Sequence, residues 1–274
     1  MMQSIYTDIK SYAKINLGLK IVDLLPDGYH ALCTIMQEID FYDLITIKLL
    51  DKPVIKISCE GSVSVPNDNS NLCFQAAQLL YNNYNCKQGI HIFLKKHIPT
   101  GSGLGGGSSN AARILCTLNQ LFNLNISNNQ LHELGFNLGC DVPFFINGGI
   151  QLSEGKGEKL SSTKINLNKY YILLVLPQIS ISTKWAYSFF KNDLCKRFDS
   201  NKFRSFQHSA DWELFENDFE KVINLTYPEI NKIKDILVKQ GSLFASLSGS
   251  GSAMFGIFDD FLKADLAHQA LKTY

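Results

Sequence analysis

Ile98-Pro99-Thr100-Gly101-Ser102-Gly103-Leu104-Gly105-Gly106-Gly107-Ser108-Ser109-Asn110-Ala111-Ala112 sets five glycines within seven positions and then runs into helical sequence. The run before it, Ile90-His-Ile-Phe-Leu-Lys95, has β pattern. A plain turn needs one or two glycines, and each extra one costs backbone entropy on ordering. Five so close together let successive N–H groups curl round an anion with no Cβ in the way, and the next helix adds its free amides and positive dipole end. The stretch reads as a phosphate cradle between a strand and a helix.

Two familiar cradles do not fit. A Walker A loop ends in Gly-Lys-Ser/Thr; the one Gly-Lys near a glycine cluster, Gly155-Lys156, is followed by Gly157. The dinucleotide fingerprint matches at Gly101, Gly103 and Gly106, but it also needs an acidic residue about 20 positions on. None occurs between Gly107 and His132; the first is Glu133.

Composition narrows the class. The 274 residues are 45% hydrophobic, enough for one large or two medium domains with real cores. Lys+Arg 26 against Asp+Glu 25 leaves a formal charge of +1, so there is no basic field for nucleic acid and no nucleic-acid partner is expected. A phosphorylated ligand must be held by local donors. Seven widely spaced cysteines without Cys-x-x-Cys read as buried thiols in a reducing, cytoplasmic setting, and six histidines without His-x-x-x-His give no expectation of a structural transition metal. The opening Met1-Met-Gln-Ser-Ile-Tyr-Thr-Asp8 has no leader pattern. The longest apolar run, Tyr170 to Leu176, is far too short to span a bilayer, so no membrane partner is expected.

Periodicity organises the rest. Lys10 to Ile21 alternates as a strand, with Tyr12, Lys14, Asn16 and Gly18 on one side. A turn at Leu25-Pro-Asp-Gly28 precedes strands over Ala31–Asp40, Leu44–Leu50 and Val54–Cys59. Helices are expected over Asn71–Asn82, over Ser109–Phe122, and from a Ser127/Gln130 capping box to Gly139. In the second half Tyr170–Leu176, Leu243–Leu247 and Ala253–Phe258 read as strands. Ser182–Lys191, Asp211–Asn224, Pro228–Gln240 and Leu262–Lys272 read as helices. Strands mixed with helices, without a strict βαβ repeat, predict an α+β chain of two lobes, 1–160 and 161–274, with a boundary near Gly155 to Leu167.

Taken in order, several strings resemble the GHMP kinases, the superfamily of galactokinase, homoserine kinase and mevalonate kinase. Its usual Gly-Leu-Gly-Ser-Ser-Ala is lengthened here to Gly103-Leu-Gly-Gly-Gly-Ser-Ser-Asn-Ala-Ala112, which is similar to a branch whose acceptor is a cytidylyl sugar alcohol. The resemblance implies a ribosomal S5 domain 2-like N-terminal lobe and a ferredoxin-like C-terminal lobe. It also implies ATP with Mg2+, and ATP contacts along Pro99, Thr100, Gly101, Ser102, Gly103, Leu104, Gly105, Gly106, Gly107, Ser108 and Ser109.

Further roles follow from the same resemblance. Tyr12-Ala-Lys14-Ile-Asn16-Leu resembles the opening motif, which implies a catalytic Lys14 and an acceptor contact at Asn16. Alone, Lys14 would read as a solvated charge. Gly139-Cys-Asp141-Val-Pro-Phe resembles the motif of the catalytic acid/base, implying that role for Asp141; by itself Asp141 equally suits the cap of a short helix near Pro143. Phosphoryl transfer needs a group that orients the attacking hydroxyl and takes its proton, and a nearby ammonium keeps a carboxylate charged for that work. Asp27-Gly-Tyr29-His30 resembles the cytosine-holding motif, with Tyr29 stacking on the base and His30 on its edge. Tyr187 falls where a second ring is expected, although core packing on a helix explains it as well. Ser246-Leu-Ser248-Gly249-Ser250-Gly251-Ser-Ala253 resembles the third, C-terminal glycine loop, with Ser246 where many relatives carry a basic residue. Asn217-Asp-Phe-Glu220 matches too and reads as structural. The Mg2+ ligands are left open between Ser108 and Ser109. Two other functions compete: a GHMP kinase for a different small alcohol, and a nucleotide-binding module without catalysis. A binding module would need neither Lys14 nor Asp141.

Overall fold

A computed structural model describes residues 5–190, 203, 212–272 and 274. Its strands are β1 (Ile5–Leu24), β2 (His30–Leu50), β3 (Ile55–Gly61), β4 (Gly89–Lys96), β5 (Ile150–Gly155), β6 (Lys159–Ser162), β7 (Tyr171–Val175), β8 (Phe244–Leu247) and β9 (Met254–Phe258). Its helices are α1 (Leu72–Asn83), α2 (Gly106–Leu121), α3 (Asn128–Leu138), α4 (Val142–Asn147), α5 (Thr183–Tyr187), α6 (Glu220–Thr226), α7 (Pro228–Lys239) and α8 (Phe261–Ala270). The chain forms two compact units. Strands β1 and β2 each contribute residues to both units.

The first unit takes residues up to Lys14, then Glu38–Thr100 and Gly105–Gly148. Here the C-terminal half of β2 pairs antiparallel with β4, from Leu44 opposite Lys95 to Leu50 opposite Gly89. Strand β3 pairs parallel with β4 and α1 makes the crossover. Alternation along β4 puts Ile90, Ile92, Leu94 and Lys96 on one face, and all four are buried. Asn71 caps α1 by accepting from the Cys73 amide. Ser127 and Gln130 close the expected capping box at the start of α3.

The second unit takes Ile15–Gln37, Gly101–Leu104 and Gly149–Tyr274. In it the N-terminal half of β2 pairs with β5, and β5 turns back into β6. A separate antiparallel sheet runs β7-β9-β8. Ile230, Ile233 and Leu237 of α7 recur at helical spacing and are all fully buried, in one cluster with Leu19, Ile21, Leu247 and Phe258. Full burial of each such side chain contributes about 1.5–3 kcal/mol.

The elements differ from their sequence expectations in places, each for a local reason. Helix α2 begins at Gly106, three residues before Ser109. The two strands expected over 31–50 are one. The expected helix Asp211–Asn224 is a 3₁₀ turn, Trp212–Leu214, followed by α6. Between them Asn217 Oδ1 accepts from the Phe219 amide and Asp218 from the Ile21 amide, bonds that compete with a helix. Helix α5 ends at Tyr187, and the expected end at Lys191 lies outside the described residues, as do Asp211 and Cys195. The expected boundary stretch carries the end of β5 and all of β6. No helix among the described residues is long and apolar enough to cross a membrane.

Candidate active site

In the first unit, Lys14 comes off β1 with its side chain nearly buried, and its Nζ lies 3.7 Å from Asp141 Oδ2. Burial pushes the Lys14 ammonium below the ordinary lysine value, while the Asp141 carboxylate opposes that shift. Asp141 occupies the N-cap position of α4, yet its side chain caps nothing there. The bland reading of this residue as a helix cap therefore fails on geometry. A third of the carboxylate side chain is open to solvent. The separation exceeds a tight hydrogen bond, so the pair is held by charge and keeps carboxylate lone pairs for another donor.

The start of α2 adjoins this pair. Gly105 stands at the N-cap with φ 68°, a left-handed conformation that a side chain makes costly. A Cβ there would come within 2.8 Å of the Phe145 ring and 3.3 Å of Lys14 Cγ. The first helical bond runs from the Ser109 amide to the Gly105 carbonyl, and no side chain caps the end. The amides of Gly106, Gly107 and Ser108 therefore have no intrahelical acceptor and point out of the helix start. Ser109 is buried and its hydroxyl accepts from Ser11 at 2.8 Å. Ser108 is half-buried, on the side of Gly139. Pro99 and Thr100 close this unit's part of the entry to the loop.

In the second unit, Gly101–Leu104 joins the C-terminal glycine loop. Ser248 Oγ donates to the Gly103 carbonyl at 3.0 Å, and the Ala253 amide donates to the Ser102 carbonyl at 3.1 Å. A Cβ on Gly103 would fall 1.9 Å from the Ser248 carbonyl oxygen, so the two loops touch backbone to backbone. Leu104 is fully buried. Asn16 is buried too: its Nδ2 donates to Thr34 Oγ1, and its Oδ1 lies 3.4 Å from where a Cβ on Gly249 would stand. Ser250 Oγ meets the Thr183 hydroxyl at 3.0 Å. Gly251 bonds back to the Ser248 carbonyl.

The aromatic group belongs to the same unit. Tyr29 is 57% exposed, and Lys156 Nζ sits 4.5 Å above its ring centre. Lys156 also pairs with Asp27, which accepts from the Tyr29 amide. His30 Nε2 lies 2.9 Å from the Phe190 carbonyl oxygen. A carbonyl only accepts, so this nitrogen carries the hydrogen, and in the neutral ring Nδ1 is left as an acceptor. The His30 ring stacks on Tyr187 at 5.0 Å, and Tyr187 meets Phe219 edge-on in the core. Tyr187 thus packs on the core on one side and on His30 on the other.

Two sequence models match this chain: the N-terminal domain of the GHMP kinases over residues 71–149, and their C-terminal domain over 196–274. A 4-diphosphocytidyl-2-C-methyl-D-erythritol kinase of Prosthecochloris aestuarii is 43% identical over 278 aligned positions, covering 99% of this chain and 95% of the relative. The chain belongs to the GHMP kinases. A kinase of the same description from Clostridium botulinum is 38% identical over 273 positions, with 96% and 95% covered. The crystal structure of a 4-(cytidine 5'-diphospho)-2C-methyl-D-erythritol kinase superposes with a TM-score of 0.81 at 27% identity, covering 99% of this chain and 96% of that one. The L. major mevalonate kinase superposes with a TM-score of 0.69 at 17% identity, covering 99% of this chain and 92% of that one, and shares the fold.

In this GHMP kinase the Asn217-to-Glu220 string, read as structural, supports the C-terminal glycine loop, whereas Asp43 and Lys96 were passed over. Glu220 Oε1 accepts from both the Ser246 hydroxyl and the Leu247 amide, so Ser246 faces a carboxylate. Asn217 Nδ2 donates to the carbonyls of Leu247 and Gly249, holding the C-terminal loop from below. Asp43 and Lys96 form a buried pair in the first unit. A sequence signal for Lys96 existed: it continues the row Ile90, Ile92, Leu94 on the apolar face of β4.

Proposed function

We infer that this chain is an ATP-dependent kinase that phosphorylates the 2-hydroxyl of 4-diphosphocytidyl-2-C-methyl-D-erythritol, a step of non-mevalonate isoprenoid precursor synthesis. The observation that carries the chemistry is the loose Lys14–Asp141 pair beside Gly105 at the uncapped start of α2. Near full-length identity to kinases of that description supports the choice of acceptor.

In this reading the α2 amides and the 101–107 backbone hold the nucleotide phosphates. Asp141 orients the acceptor hydroxyl and takes its proton as oxygen attacks the γ-phosphorus and the bond to the ADP oxygen breaks. Lys14 stabilises the charge that develops on the transferring group and the attacking oxygen. Asn16 positions the acceptor. Ser248, Gly249, Ser250 and Gly251 support the phosphate loop through Gly103. Mg2+, when bound with ATP, neutralises phosphate charge. Hard oxygen donors suit it, and Ser108 is the better protein ligand because Ser109 is engaged by Ser11. Tyr29 and Tyr187 supply aromatic faces for cytosine. His30 Nδ1 accepts from the exocyclic amine, which uracil lacks, so the bond of Nε2 to Phe190 sets the base preference.

The division 1–160 and 161–274 is kept as the functional one, since the two family matches fall on either side of it. We place the enzyme in the cytoplasm, acting on small molecules and not on nucleic acid. A panel assay coupled to ADP release tests the reading. Turnover is expected with the cytidylyl acceptor and not with mevalonate, homoserine or galactose, none of which carries a base. Activity with one of those three, and none with the cytidylyl compound, would reassign the acceptor and leave the kinase fold in place.

A further inference from the structure

We propose that Asp43, Lys96 and Asn110 are positioning residues that preset the nucleotide loop by tying its entry strand to its exit helix. The proposal rests on the reading of 99–109 as that loop. Asp43, on β2, is fully buried and receives four donors. Its Oδ1 accepts from the amides of His97 and Ile98 at 2.7 and 2.8 Å. Its Oδ2 accepts from Lys96 Nζ at 2.6 Å and Asn110 Nδ2 at 2.9 Å. Lys96 Nζ donates again, to the Ile98 carbonyl at 2.7 Å. One carboxylate therefore grips His97 and Ile98 ahead of the glycines and Asn110, the fifth residue of the helix, after them.

The grip continues along α2. Asn110 Nδ2 also donates to Ser11 Oγ, which donates to Ser109 Oγ, so β1 is tied to the same helix. Gly106 shows how close the fit is: a Cβ there would fall 2.8 Å from both Lys96 Nζ and Ile98 Cγ2. The glycine at that position is required by the clamp under it, whatever the ligand. Burial pushes Lys96 below the ordinary lysine value and Asp43 opposes it, so each charge depends on the other.

A merely structural pair could sit anywhere in the core. This one holds both ends of a loop whose amides must point at one place, and such preorganisation shows in binding rather than only in stability. The separating variants are Asn110→Ala, which cuts the link to α2 and leaves the charges paired, and Asp43→Asn with Lys96→Met together, which removes both charges. Binding of Mg·ADP by calorimetry, KM for ATP, KM for the cytidylyl acceptor and thermal midpoint are measured on each. Asn110→Ala is expected to weaken Mg·ADP binding and raise KM for ATP about tenfold. Its KM for the acceptor should stay within about twofold of the parent. If the double variant does not fold, Ser11→Ala replaces it and should give the same split at smaller size. A lower midpoint with unchanged ADP affinity and unchanged KM for ATP in the folded protein would overturn the positioning role, and so would equal rises in both KM values. If the parent itself does not bind Mg·ADP, the fault lies in the loop reading.

Discussion

Two lysine–aspartate pairs lie in the same unit, and they are built for opposite ends. Asp43 and Lys96 are 2.6 Å apart, both fully enclosed, with the carboxylate's lone pairs taken by four donors. Lys14 and Asp141 are 3.7 Å apart, one enclosed and one a third open. A saturated pair can hold a backbone but has no bonding capacity left for a reacting group. A loose pair stabilises little and leaves a carboxylate free to take a proton. On the proposed reading, the distance and the donor count, not the residue types, separate a clamp from a reaction centre.

The largest effect should come from the loose pair. Asp141→Asn keeps size and one acceptor but cannot take the proton, so kcat should fall by roughly 10²–10⁴-fold with fold and nucleotide binding kept. Lys14→Met should lose comparable activity. Near-normal turnover in either folded variant breaks the comparison on its catalytic side. Stability gives the converse test. Because burial lowers the pKa of Lys14 from its unfolded value, its charge works against folding below that value, and the cost fades as pH rises toward about 10.4. Lys14→Met should therefore be no less stable than the parent at pH 7, and any gain should vanish at high pH in urea titrations.

The tight pair comes next. Lys96→Met leaves Asp43 buried with three N–H donors and no cation, and breaking a buried pair this way typically costs about 3–5 kcal/mol. A clear fall in urea midpoint with an unchanged slope is expected. A shift as small as that of Lys14→Met would erase the distinction between the two pairs.

How much of this was legible follows the same line. The α+β class, the loop with its flanking strand and helix, the capping box at Ser127 and the Lys14 and Asp141 motifs could be read because each is local: a period, a cap or a contiguous string. The clamp could not. Asp43 meets Lys96 and Asn110 across 53 and 67 positions; the row Ile90, Ile92, Leu94 turns Lys96 inward but names no partner for it. The hairpin of β5 and β6 was hidden by Gly155-Lys-Gly157, which reads as a break but turns one strand into the next. Helix α2 starts earlier than propensity allows because its first two residues are glycines, poor helix formers held there by packing.

The glycines of the loop come next. Gly105→Val forces a β-branched residue into a left-handed N-cap and against Lys14 and Phe145. Gly103→Val drives into the Ser248 carbonyl. Both should raise KM for ATP by at least about tenfold and change the acceptor's affinity less. Equal ATP titrations in a folded variant would detach the glycines from the nucleotide.

A third pair, Lys156 with Asp27, extends the comparison to the surface, and its effects should be the smallest. Stacking of a base on an aromatic ring is worth about 1–3 kcal/mol, so Tyr29→Ala should raise KM for the cytidylyl acceptor about tenfold, with less change for ATP. His30→Ala should narrow the preference for cytosine over uracil, since it removes Nδ1. On the proposed reading Lys156 acts through the Tyr29 ring and not on the base. It sits over Tyr29 and is anchored by Asp27, which also receives the Tyr29 amide. An exposed ion pair contributes about 0–1 kcal/mol and an exposed cation over a ring about 0.5–1 kcal/mol. Lys156→Met should thus leave the thermal midpoint nearly unmoved and raise the acceptor KM by no more than about fivefold, by loosening a ring that is otherwise mostly in solvent. In a Tyr29→Ala background the same substitution should do nothing further, because the ring it steadies is gone. An effect of Lys156→Met that persists undiminished without Tyr29 would mean that its ammonium acts on the acceptor directly, and the surface pair would then belong with the reacting groups.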